Sequence, residues 1–175
     1  MTDIIHFETL CADFEDIYPS ELEGDISKIL GVQYLQQVSD NRTRKLVKGS
    51  FMSASLRPVI SLHVQRSEAI TTLSGTPSPV NVHFLFPEPS PQTYMSQEAL
   101  RAIGIEDMVV VGESMDDPES TRLPLLINGY RVHVLHSPSN SHFAHLNILG
   151  EDFVNASKAQ VFFGGNEPRF EISFP

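Results

Sequence analysis

The chain has one cysteine, no tryptophan and no long apolar run. A lone cysteine excludes a disulfide framework and a cysteine-based structural zinc site. Without about 18 consecutive apolar residues there is no candidate membrane-spanning helix. Basic residues are also scarce: 12 Lys and Arg stand against 22 Asp and Glu, a formal charge of −10. That balance speaks against nucleic acid as the main partner, because phosphate contact needs a basic surface. The N-terminal residues lack the basic-then-apolar order of a secretory signal, so the expectation is a cytoplasmic protein. No internal repeat and no linker divides the sequence. What is present is a 41% hydrophobic chain of 175 residues, too apolar for disorder and of a length that suits a single domain, residues 1–175.

The charge is uneven. Residues 1–30 carry eight acids (Asp3, Glu8, Asp13, Glu15, Asp16, Glu21, Glu23, Asp25) against Lys28. A basic island follows at Arg42, Arg44, Lys45 and Lys48, and acids dominate again over 71–130. The distribution predicts a bipolar molecule with an acidic helical face. The plainest reading of the island is a solvated edge, where lysine and arginine discourage edge-to-edge strand pairing.

Periodicity divides the chain into a helical N-terminal element, 1–30, and a β-rich body, 31–175. Ile4, Phe7, Cys11, Phe14 and Tyr18 fall on one helical stripe, which makes Cys11 a small buried hydrophobe. A second helix is predicted from Ser20 or Asp25 to Leu30, stopped by Gly31. The period then changes to two. Strands are predicted over 32–38, 45–52, 59–65, 80–86, 108–111, 143–149 and the C-terminal hairpin 159–163 and 169–174. Asn128-Gly129 between two apolar runs is the strongest local signal, a two-residue hairpin turn. One helix is punctuated at both ends, near 96–103: Ser96 is placed to cap it, and Gly104 to close it with Ile105 returning to Leu100. No regular βαβ alternation occurs. The fold class expected is α+β, with N-terminal helices packed on a mostly antiparallel sheet, sandwich or open barrel.

Candidate chemistry rests on the histidines. His63, His83, His133 and His145 fall on the polar side of predicted strands, with Arg131 as a neighbouring cation. If the strands share a sheet, the imidazoles lie on one face, where they would line a pocket for a metal ion or small ligand. The competing and stronger reading is an ordinary solvated face, since no His-X-His pair and no nearby carboxylate completes a ligand set. Gly112-Glu113-Ser114-Met115-Asp116 only superficially resembles a nucleophile elbow, because Asp116 and Pro118 do not suit the turn into a helix. No catalytic residue, metal site or cofactor is assigned. The leading expectation is therefore a non-catalytic acidic protein that binds a protein partner of basic character. Glu8, Asp13, Glu15, Asp16, Arg42, Arg44, Lys45 and Lys48 would supply the contacts. The rival is the histidine-lined pocket. Edge strands or the Phe-rich C-terminal hairpin also leave room for a homodimer.

Overall fold

A computed structural model describes residues 17–39, 42–52, 57–67, 78–86, 90–105, 122–141, 143–164 and 168–175. The expected first helix, with Cys11, and the elbow-like segment at 112–116 lie outside these residues.

The chain forms a curled, mostly antiparallel sheet of eight strands with a few short helices. The strands are β1 (Leu46–Phe51), β2 (Pro58–Arg66), β3 (Val80–Leu85), β4 (Tyr94–Met95), β5 (Leu123–Ile127), β6 (Tyr130–His136), β7 (Gln160–Phe163) and β8 (Arg169–Ser173). The sheet order is β4-β6-β5-β2-β1-β8-β7, with β3 also pairing β2. Among the described strands only β4 runs parallel to its neighbour, β6.

The helical pieces Pro19–Glu21, Leu22–Ile26 and Ser27–Leu30 join end to end as α1, the middle one in π register. Ser27 Oγ donates to the Leu22 carbonyl five residues back at 2.8 Å, a bond in keeping with that wider turn. Gly31, at φ 66°, ends α1 in the left-handed conformation that glycine adopts without a side-chain clash. The other helices are α2 (Gln97–Ala102) and α3 (Glu151–Ser157). At α2 both signals are realised. Ser96 Oγ accepts the Ala99 N–H at 3.2 Å. Ile105 N–H reaches the Leu100 carbonyl at 3.0 Å and Gly104 N–H the Arg101 carbonyl at 2.8 Å, the bond pair of a Schellman ending.

The concave face of the sheet is the core. Val47, Ile60, Leu62, Val64, Val82, Phe84, Leu125, Ile127, Val132, Val134, Phe170 and Ile172 are all buried, and the strand registers put them on one side. Gly49 faces Phe170 across the β1–β8 ladder. A Cβ there would fall inside the Phe170 ring, so the glycine makes the room that the aromatic fills. α3 closes one end, with Phe153 edge-on to Phe174 at 6.0 Å.

β2 is the hub. Its Pro58 carbonyl faces β3, accepting from Phe86 N–H, whereas the Arg57 and His63 carbonyls accept from Met52 and Asn128 on the other side. β1 and β5 therefore share that second side, at opposite ends of β2, and leave a fork between them at Ser61. The Arg44 guanidinium fills it, with Nη2 donating to the Ser61 carbonyl at 2.8 Å. Such filling is expected, because a buried carbonyl without a donor is costly. Asn128 holds Arg44 in place: its Oδ1 accepts Arg44 N–H and its Nδ2 donates to the Arg44 carbonyl, both at 3.0 Å.

Asn128 and Gly129 form the expected turn, at φ 47° and 84°. Two other expected strands did not form as such. Residues 32–38 turn at Leu35, φ 56°, and touch β3 through one bridge, Gln37 to Val80. In 143–149 the first three residues turn, and only Ile148 bridges, to Leu85 and Tyr94. Both segments are apolar at alternate positions, but each follows the outer edge of β3 only briefly, where Asn81, Leu85 and their partners exchange backbone hydrogen bonds.

Candidate functional site

The registers put His63, His83 and His133 on the same, convex face of the sheet. Ser61 pairs with His83, His63 with Asn81, and His133 with Pro124. His63 and His83 are diagonal neighbours. His133 lies two strands from β2, further along the ladder, and is exposed, as is Arg131. His145 sits in the 143–145 turn and donates from Nε2 to the Ile17 carbonyl at 2.8 Å. The expected quartet is thus spread over separate environments. Among the described residues no group of three or more His, Cys, Asp or Glu could hold a metal ion.

His83 is the buried member, 1% exposed. Its Nε2 lies 3.0 Å from Ser27 Oγ. Ser27 Oγ spends its own proton on the Leu22 carbonyl and also accepts Tyr34 N–H at 3.1 Å. The His83 proton is therefore assigned to Nε2, which leaves Nδ1 buried with no hydrogen bond. Burial pushes the His83 pKa down to about 4, with the Val32 backbone opposing it. The imidazole is neutral at pH 7 and packs at 5.2 Å against the Tyr34 ring.

The same layer continues through Asn147, which is fully buried. Its Nδ2 donates to Tyr34 Oη at 2.9 Å and to the His83 carbonyl at 3.2 Å, and its Oδ1 accepts Ser96 N–H at 2.9 Å. Burial raises the Tyr34 pKa, with hydrogen bonds from Asn147 and Ser96 opposing it. Asn147 thus does for the outer edge of β3 what Arg44 does for the fork. Alternation put Asn147 on the polar side of a predicted strand, but nothing in the sequence marked its joining with Ser27 and Tyr34.

Of the four basic residues at 42–48 only Arg44 turns inward; Arg42, Lys45 and Lys48 are exposed. Lys45 Nζ donates to the Pro175 carbonyl at 2.9 Å, and Lys48 lies 3.6 Å from Glu171. Arg42 is exposed, and Arg44 is half-buried, its pKa lowered by loss of solvation. Arg44 faces an open polar groove of about 390 Å³ beside His63, Asn81, Gln33, Gln36 and Gln37. Glu8, Asp13, Glu15 and Asp16 lie outside the described residues.

A different surface lies at the far edge of the sheet. Among the described residues β7 is terminal in the strand order and pairs only β8. Gly164 N–H donates to the Arg169 carbonyl at 3.2 Å. Alternation along the ladder then turns the N–H and C=O of Phe162 toward β8 and those of Val161 and Phe163 outward. Phe162 is 53% and Phe163 61% exposed. Next to them Phe86, Leu149, Val154, Val161 and Phe163 line an apolar groove of about 290 Å³, rimmed by Glu151 and Asn155. The C-terminal hairpin was legible in the sequence, and its second half alternates as expected. The exposure of Phe162 and Phe163 was not, because a strand's neighbours decide it.

No helix among the described residues is long and apolar enough to cross a membrane. Comparison with protein-family models, with curated proteins and with solved structures returns no match.

Proposed function

We propose that this chain is a binding module for a protein partner, and that the partner docks an extended strand on the free edge of β7. One observation carries the reading: β7 presents outward backbone donors and acceptors at Val161 and Phe163 beside an apolar groove. Strand addition takes its affinity from main-chain hydrogen bonds and its selectivity from pockets for alternate side chains. A strand laid on β7 would send every second side chain into the groove formed by Phe86, Val154 and Phe163. Residues 159–164 carry no charge, so the incoming strand is apolar. The Glu151 carboxylate on the rim favours a basic residue flanking it, in keeping with the basic partner expected from composition. Exposed apolar edges are usually blunted by charge, proline or cover, which makes two open phenylalanines on one edge strand a functional signal.

The test is Val161→Pro. The Val161 N–H points away from β8, so proline removes an outward donor while the β7–β8 ladder keeps its bonds. Cross-linking with wild-type and Val161→Pro baits should yield a specific partner, cross-linked at β7, with the wild type alone. Equal capture by both baits, with cross-links elsewhere, would refute the proposal. A wild-type homodimer by light scattering that Val161→Pro converts to monomer would also overturn it, by giving the edge to a second copy.

A further inference from the structure

The groove at the fork in the sheet is a separate surface from β7, and its polar groups exceed what the fold uses. Arg44 has five N–H donors in a fixed fork. One nitrogen, Nη2, serves the Ser61 carbonyl, while Nε is buried with no hydrogen-bond partner. Arg44 makes no ion pair with any described carboxylate. Asn81 is 7% exposed and bonds Gln36 and Leu35 through its backbone. Among the described residues its side-chain amide has no protein partner. The exposed Gln33, Gln36 and Gln37 also line the space, and among the described residues no carboxylate does.

We propose that this groove binds one small oxyanion, anchored by the Arg44 guanidinium, with the Asn81 and glutamine amides as further donors. Guanidinium geometry suits carboxylate and phosphate equally. At a net charge of −10 the molecule as a whole repels anions, so binding here depends on the local donors rather than on a general field. Asn128 holds the Arg44 backbone and the Ser61 carbonyl holds its guanidinium before the anion arrives, which lowers the ordering cost of binding.

The experiment is a titration of the intact protein with inorganic phosphate and, separately, with succinate, followed by NMR of the Arg44 Nε–H and the Asn81 side-chain amide. One saturable site that shifts both signals is expected, and whichever probe binds more tightly identifies the class of oxyanion. Arg44→Gln should weaken it about tenfold or more, the scale of a lost charge-assisted hydrogen bond. Asn81→Ser, at a side-chain amide with no partner among the described residues, should weaken it severalfold, and it keeps the test decisive if Arg44→Gln does not fold. Arg101→Gln, an exposed change on α2, should leave it unaltered. Absence of saturation with both probes at tens of millimolar would overturn the proposal. So would affinity unchanged in Arg44→Gln or Asn81→Ser, which would mean an adventitious ion only.

Discussion

His83 makes stability depend on pH in a direction and range that the structure specifies. The folded protein holds its pKa at about 4, against 6.5 for a free imidazole. Between those values the unfolded chain binds a proton that the folded chain refuses. The group's full contribution is therefore present above pH 6.5, falls as the pH falls, and is gone below about pH 4. At about 1.4 kcal/mol per pH unit the whole effect is about 3 kcal/mol, of which about 2 kcal/mol has gone by pH 5. The physical cause is burial: a charged ring at this position would sit among Tyr34, Ser27 and the Val32 backbone, almost wholly out of solvent. Its one side-chain hydrogen-bond partner among the described residues, Ser27 Oγ, already accepts the neutral ring's proton. The assay is urea unfolding from pH 7.5 to 4 for the wild type and for His83→Gln, whose amide can still donate to Ser27. The variant should be less stable at pH 7, and the difference between the two should shrink by about 2–3 kcal/mol toward pH 4. His136, whose pKa burial also lowers, contributes to both proteins and cancels. A difference independent of pH would refute the reasoning, since the native state would then accept the proton as readily as the unfolded chain does.

Other outcomes follow from the same geometry. Asn147→Ala strips partners from Ser96 N–H, Tyr34 Oη and the His83 carbonyl together; chemical denaturation should show a loss of about 3 kcal/mol or more. Gly49→Ala drives a Cβ into the Phe170 ring; it should cost about 2 kcal/mol by thermal melting, the scale of overpacking. Asn128→Ala removes both clamps on the Arg44 backbone and keeps a positive φ that alanine disfavours; a loss of about 2 kcal/mol is expected, with weaker phosphate or succinate shifts at Arg44.

Sequence signals were strongest where a residue type answers a local backbone need. Asn128-Gly129 and the Ser96 and Gly104 ends of α2 are such cases, and each formed as expected. Alternation also placed His63, His83 and His133 on one face correctly. It could not say what covers that face. His83 is sealed under α1 while His133 stays in water, and the difference comes from residues distant in the chain. The same limit explains Arg44. Beside Arg42 and Lys45 it reads as part of a solvated patch, yet the divergence of β1 from β5 opens a gap that its side chain fills. The segments 32–38 and 143–149 alternate like strands, but partners that meet them only briefly leave a single bridging residue in each. Tyr94–Met95 went unseen because two residues carry no period.

The central claim is that the outer edge of β7 is open and available to a partner strand. Amide hydrogen exchange, resolved by NMR over residues 160–164, tests it most directly. The Val161 and Phe163 amides should exchange far faster than Phe162 in the free protein, and should become protected when the cross-linked partner is bound. Slow exchange at Val161 and Phe163 in the isolated chain would contradict it, because the edge would already be covered.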